Sequence, residues 1–312
     1  MAEEWMGVPE VIPGDTIGVV APSGPIDEDR VALALATLEE VGFRSKLAEN
    51  LRARRGYLAG DDVSRAKDLT RMLVDPDVQA VIAARGGYGA MRLLPYLEAH
   101  WSALRTCPKA LVGFSDITAL HLAFQRHRLV SLHGPVLESL LDREGQVRQP
   151  SLDSLVDGLG GRWAEELPVP VGYSPWCVTP GRARGRLVGG NLSLIAATLG
   201  TPWEIDTQGA VVLLEDVGEK PYVLDRYLTQ LALAGKLQAA AGFIVGELVH
   251  CGSDTDVPTA DEVVSEHLAR TALPCSAGWP LGHGAQKLTV PLGAMVEIDA
   301  SVPAVFFPRA PR

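Results

Sequence analysis

Three times within the first 130 residues a short apolar run ends in a turn rich in glycine, serine or proline and passes into a helical pattern. Residues 16–21 lead through Pro22-Ser23-Gly24-Pro25 into a segment where Val31, Leu35, Leu38 and Val41 line one helical face, ended by Gly42. Residues 78–84, themselves preceded by a helix marked by Ala66, Leu69, Met72 and Leu73 after Asp61-Asp62, lead through Arg85-Gly86-Gly87-Tyr88-Gly89 into a helix through Met91, Leu94 and Leu97. Residues 110–112 lead through Gly113-Phe114-Ser115 into a helix over 117–125, and a short strand over 129–132 then ends at His133-Gly134-Pro135. Alternating strand and helix periods joined by short turns predict βαβ units and a parallel sheet. Such sheets bind ligands at the carboxyl ends of their strands, which makes these turns the candidate site loops.

At 312 residues the chain accommodates two domains, and 47 % hydrophobic with 21 % charged residues is a soluble globular composition. Twenty-eight basic against 38 acidic residues leave a net charge of −10, which argues against nucleic acid and anionic membrane as partners and favours small molecules or peptides. The acidic start Met1-Ala2-Glu3-Glu4-Trp5 is unlike a signal peptide and no apolar run approaches a membrane span, so the expected location is the cytoplasm. Cys107, Cys177, Cys251 and Cys275 are scattered and form no C-x-x-C pair, so neither a zinc nor a redox site is expected.

From about Arg143 the texture changes: Pro150, Pro168, Pro170, Pro175 and Pro180 fall among glycines and charges with no strong period, apart from a helix near 152–159. This predicts a first domain over 1–145, a linker over 146–180 and a second domain over 181–312. The second domain reads as a helix over 191–199 ended by Gly200, a short strand over 210–214 with Glu215-Asp216 at its end, and a helix over 222–233. Strands follow over 242–248, 287–290 and 295–298, making this half richer in strands that need not alternate with helices.

Ser115 stands at a sharp strand-to-helix corner, where a hydrolase places a nucleophile: the hydroxyl projects from the sheet edge and the helix start directs N–H groups towards developing negative charge. The α/β-hydrolase elbow has glycine two residues after its serine and Ile117 stands there instead, so a simple helix N-cap is the competing reading. A dinucleotide site is disfavoured, since Arg92 occupies the third glycine position after Gly87-x-Gly89 and no acidic residue follows at the expected distance. A nucleophilic serine needs a base oriented by a third group. Among the histidines, His100, His127 and His267 lie in polar helical contexts, His121 faces helix packing, and His250 lies in a polar loop without a readable purpose. His283, held between Gly282 and Gly284 after Trp279-Pro280, is the candidate base, with His133 as its competitor. Glu215, directly after an apolar strand, is the candidate carboxylate, with a salt bridge or helix cap as its alternative.

Taken in order, 14–23, 84–89, Gly113-Phe114-Ser115-Asp116, Gly189-Gly190-Asn191-Leu192, Leu214-Glu215-Asp216 and Gly282-His283-Gly284 resemble the LD-carboxypeptidases of serine peptidase family S66. The resemblance covers nearly the whole chain. It implies an α/β fold with a Rossmann-like N-terminal domain carrying the serine and a smaller, strand-rich C-terminal α/β domain supplying the glutamate and histidine. It implies a Ser115, Glu215, His283 triad that removes the terminal D-alanine of murein tetrapeptide in the cytoplasm, a homodimer, and neither metal nor cofactor. For that chemistry the amide of Asp116 is one expected oxyanion donor and an amide of Gly86 or Gly87 the second, with Arg85 a candidate for the substrate carboxylate and a pairing with a structural carboxylate as its alternative. The microcin-immunity peptidases of the same family resemble the chain too, although an added loop that presents an aromatic residue to a nucleotide is not evident at this length. A two-domain binding protein with an unreactive serine is the alternative outside enzymes, and a NAD-dependent enzyme is the third.

Overall fold

The computed structural model describes residues 4–163, 165–253 and 255–308. The chain divides into two units, one comprising the residues up to Arg162 together with Leu288–Pro291, the other Trp163–Lys287 with the residues from Leu292 onward. The division falls inside the proline-rich stretch, just past a helix that belongs to the first unit.

In the first unit, β1 (Thr16–Val20), β2 (Arg44–Leu47), β3 (Ala80–Ala83), β4 (Ala110–Gly113) and β5 (Ser131–His133) form a parallel sheet in the order β2-β1-β3-β4-β5. Every residue of β3 and β4 is buried, which is why these strands read as unbroken apolar runs. Helices α1 (Glu28–Glu40) and α2 (Asp62–Val74) begin where the sequence places them, because Asp27 and Asp61 accept the Arg30 and Ser64 amides as N-caps. The next helical pattern is broken into 3₁₀ turns and two short helices, α3 (Leu94–Leu97) with Pro95 in its first turn and α4 (Trp101–Thr106). After β4 comes α5 (Thr118–Arg126), whose residues 118–125 are all buried, and α6 (Gln149–Leu159) follows β5. A helix buried on every side is a core element, and α5 starts three residues after Ser115. The strand order reverses between β1 and β3, so the loops after those strands flank the switch point at which open α/β sheets bind ligands.

The second unit holds β6 (Trp176–Thr179), β7 (Arg182–Asn191), β8 (Val211–Val217), β9 (Gly242–Val249) and β10 (Cys275–Ala277). After these the chain returns to the edge of the first sheet, beside β5, as β11 (Val290–Leu292), then re-enters the second sheet as β12 (Met295–Asp299) and β13 (Ala304–Phe306). The order is β13-β12-β7-β8-β9-β10-β6, with β7 to β10 parallel and the outer pairings antiparallel. Helices α7 (Leu192–Thr198), α8 (Pro221–Leu233), α9 (Lys236–Ala239) and α10 (Ala260–Ala269) complete the unit.

Several local expectations change. β2 carries the sequence Arg-Ser-Lys-Leu, half-exposed at a sheet edge, so no apolar run announces it. The strand expected over 287–290 starts at Val290 and joins the first sheet, and β8 continues through Glu215 and Asp216 rather than stopping before them. The stretch read as linker contains β6, whose residues are half-exposed or exposed and lack a period-two signal. α10 has a Thr259/Glu262 capping box that is visible in the sequence.

Backbone spacing in the second sheet depends on Gly189. With φ at +118° and its Cα pressed on Leu213, a side chain there would overlap the Leu213 carbonyl oxygen. Gly189→Ala is expected to destabilise the protein by roughly 3 kcal/mol or more, from left-handed strain plus the overlap. Gly7→Ala, which meets nothing within 4 Å, should change stability by less than about 0.5 kcal/mol. Urea unfolding midpoints of the two variants check this.

Candidate active site

Ser115 has a φ of +63°, a left-handed backbone that non-glycine residues adopt only when their surroundings enforce it. An N-cap has extended backbone; here Phe114 takes the extended position before the 3₁₀ turn Ser115–Ile117, so Ser115 is not the cap. Two neighbours make the corner possible. A side chain on Gly113 would strike Ile117 at 2.9 Å, and one on Gly86 would come within 3.2 and 3.3 Å of the Ser115 Cβ and Oγ. The glycine-rich loop after β3 therefore lies directly against the serine hydroxyl.

Asp116 ties the three site loops of this unit together. Its carboxylate is buried and accepts the Ser23 hydroxyl at 2.5 Å and the Ala90 amide at 2.8 Å, joining the turn after β4 to those after β1 and β3. Burial pushes this carboxyl above its ordinary range, against the pull of those donors. Gly24 donates its amide to the Gly86 carbonyl at 3.0 Å, a second tie between the same loops. Beneath them, His121 of α5 places Nε2 2.8 Å from the Gly113 carbonyl and Nδ1 2.8 Å from the Ser131 hydroxyl. Complete burial lowers its pKa to about 4, so at neutral pH Nε2–H donates to Gly113 and the Ser131 hydroxyl donates to Nδ1. The serine is thus held by a scaffold of side chains, among them His121, which sequence reading identified only as helix packing.

Arg85 donates to the Pro25 carbonyl at 3.1 Å and lines a cleft of about 730 Å³ with Gly24, Arg54, Tyr57, Gly87 and Tyr88. The rings of Tyr57 and Tyr88 meet edge to face at 5.6 Å. Two guanidinium groups in a cleft that begins one residue from Gly86 form a setting suited to a carboxylate. His133, the rival base, lies in β5 with its ring edge-on to Phe114 at 6.3 Å.

In the second unit, Glu215 is fully buried in β8 and the Nδ1 of His283 is 2.7 Å from its Oε2, a link across 68 residues of sequence. Nδ1 donates to the carboxylate, which leaves the imidazole lone pair on Nε2, the arrangement a general base requires. The glycines beside His283 have a steric cause: a side chain on Gly282, where φ is +106°, would lie 2.7 Å from the Glu215 carboxyl carbon. Asp216, the next residue, turns to a structural task. It accepts the Asn191 side-chain amide and the Ser193 backbone amide, each at 2.9 Å, and pins the start of α7, while burial pushes its carboxyl up to about 6.

Each unit thus brings its own expected residues together, Ser115, Asp116, Gly86, Gly87 and Arg85 in one and Glu215 and His283 in the other. Among the remaining histidines, His127 stacks on Trp101 and His267 pairs with Asp225. No group of three or more His, Cys, Asp or Glu among the described residues is placed to hold a metal ion. No helix among them is long and apolar enough to cross a membrane.

Residues 17–134 match the LD-carboxypeptidase N-terminal domain and residues 184–298 the LD-carboxypeptidase C-terminal domain. The chain is 38 % identical over 299 residues to a probable murein peptide carboxypeptidase of Bacillus subtilis, covering 92 % of this chain and 90 % of that one. It is 34 % identical to the murein tetrapeptide carboxypeptidase of Pseudomonas aeruginosa, covering 91 % and 93 %. Among solved structures, the microcin C7 self-immunity protein MccF in complex with glutamyl sulfamoyl guanosine superposes with a TM-score of 0.88 at 22 % identity, over 97 % of this chain and 98 % of that one. With its N-terminal and C-terminal domain matches in order and relatives of this similarity along nearly its full length, the chain belongs to the S66 peptidase family of LD-carboxypeptidases.

Proposed function

We propose that the protein is a cytoplasmic, homodimeric serine LD-carboxypeptidase that removes the terminal D-alanine of murein tetrapeptide. The left-handed backbone of Ser115 carries the reading, because strain held at a serine on a strand-to-helix corner has a use in presenting a nucleophile and none in capping a helix. The names of the similar carboxypeptidases support the substrate.

In this mechanism His283 Nε2 takes the proton from Ser115 as its Oγ forms a bond to the carbonyl carbon before D-alanine. Glu215 keeps the imidazole in the required tautomer and balances the charge of the imidazolium. The oxyanion is held by the Asp116 amide and an amide of Gly86 or Gly87. The C–N bond then breaks, His283 returns the proton to the leaving amine, and water, activated by the same histidine, hydrolyses the serine ester. Arg85 receives the carboxylate of the D-alanine end.

Similarity to the Escherichia coli microcin C7 self-immunity protein, 25 % identical over 92 % of the chain, makes an acyl sulfamoyl nucleoside the second substrate to assay. Mass spectrometry of murein tetrapeptide digests should show D-alanine released by the wild type. Ser115→Ala and His283→Ala should each lose about 10⁴-fold or more in kcat, and Glu215→Gln about 10³- to 10⁴-fold. D-alanine release by Ser115→Ala at the wild-type rate would remove this reading; cleavage of the nucleoside alone would move the substrate to the second class. Arg85→Ala is expected to raise KM for the tetrapeptide about tenfold with kcat within about twofold, and steady-state kinetics that leave KM unchanged would take Arg85 out of the site.

A further inference from the structure

Glu247 is a second carboxyl at the His283 loop, and the proposed reaction makes no use of it. It arrives there through a break in the sheet register. β8 and β9 pair Leu214 with Val245 and then Asp216 with Leu248, so Glu215 alone opposes two residues, Gly246 and Glu247. A bulge of this kind re-aims a side chain. It is packed tightly on both sides: a side chain at Gly246 would reach the Glu215 Cβ at 3.0 Å and overlap the Leu281 carbonyl oxygen.

The loop carrying His283 lies over this bulge. The Glu247 amide donates to the Leu281 carbonyl at 3.2 Å, and a side chain on Gly284 would land on the Glu247 carboxyl group. His283 is therefore flanked by two glycines, each bare because a carboxyl group occupies the space beside it: Glu215 beside Gly282 and Glu247 beside Gly284. The Glu247 Oε2 is buried and has no hydrogen-bond partner among the described residues. An ionised oxygen there is costly, a protonated one much less so.

We propose that Glu247 is a positioning residue for His283, bracing the loop at Gly284 as Glu215 does at Gly282 and setting, by its own charge, the pH range over which the imidazole works. This rests on His283 being the general base. The charged groups facing Glu247 are Glu215 from β8 and Lys287 from the loop, whose ammonium group donates to the Gly284 carbonyl at 2.7 Å; from β10 the titratable residue is Cys275, in register with Phe243 at the other end of β9. Burial pushes the Glu247 carboxyl up to about 7, with Glu215 adding to the rise and Lys287 opposing it. The sign follows. As the pH rises through about 7 Glu247 gains a negative charge, and on this proposal that charge favours the protonated form of the imidazole on the loop beside it.

The test compares Glu247→Gln, Glu247→Ala and wild type by the pH dependence of kcat/KM for tetrapeptide. Alongside it, the His283 ring-proton resonance is titrated by NMR, assigned with His283→Ala. Glu247→Gln keeps the shape and removes the charge, so its acid limb and its His283 titration should both move to lower pH by about half a unit. Glu247→Ala should lose about tenfold in kcat with KM within about twofold, and Glu247→Gln should recover most of that loss. Superimposable pH profiles and an unmoved His283 titration in Glu247→Gln would overturn the proposal. The NMR titration decides even if Glu247→Ala fails to fold, and it needs no catalysis. An inactive Ser115→Ala with an unmoved His283 titration thus refutes Glu247 alone, whereas an active Ser115→Ala refutes the serine mechanism instead.

Discussion

A fully buried carboxylate at Glu215 is the constraint around which the second unit is arranged. An ion without solvent is tolerated only beside a partner, and His283 supplies one at 2.7 Å. For the ring to reach it, the backbone on either side must lie almost on the carboxyl groups beneath, which is why Gly282 and Gly284 are the residues there. The β8–β9 bulge opens the sheet at this level, and the loop is tied down through the Leu281 carbonyl to β9. Removing the histidine would leave that buried carboxyl group without this partner, so the contact bears on folding as well as on the reaction proposed above.

The first unit meets a different requirement, holding one residue in a backbone conformation it does not favour. Ser115 stays left-handed because its neighbours are committed elsewhere. Asp116 is held by Ser23 and Ala90, Gly113 by His121 and by the Gly134 amide, and Gly86 by Gly24. These links join the ends of β1, β3, β4 and β5, so a strain of the order of 1–3 kcal/mol is spread over a network rather than relieved by a local rotation. They also bring the glycine-rich loop and its arginine-lined cleft to the strand ends beside the serine, at the point where the strand order reverses.

Much of this was legible residue by residue. The strand, turn and helix around Ser115, the caps at Asp27 and Asp61, and the placing of His283 between glycines depend on near neighbours in the chain, and the structure has them as the sequence implies. The side-chain contacts of Asp116 and His121 and the placing of Glu247 were not legible. Each looks ordinary in sequence: an acid at a helix start, a histidine on a helix, a glutamate in a strand. Their partners lie in other elements, and only a count of ladder partners reveals the extra residue that turns Glu247 towards the loop. Similarly, β2 escaped notice because an edge strand has no need of an apolar run.

The sequence by itself determined the α/β rhythm and the glycine-rich turns, since these follow from apolar periodicity and from the intrinsic chemistry of side chains, and it offered Ser115, Glu215 and His283 as candidates for acyl transfer. The tertiary structure decided that Glu215 and His283, 68 residues apart, share a hydrogen bond, that Ser115 is strained rather than capping, and that a second carboxyl lies against Gly284 in the histidine loop. The physical reason is range. Backbone periodicity is set within a turn of chain, whereas the register of a parallel sheet and the closeness of a loop to a carboxylate are set by packing among segments that no local pattern connects.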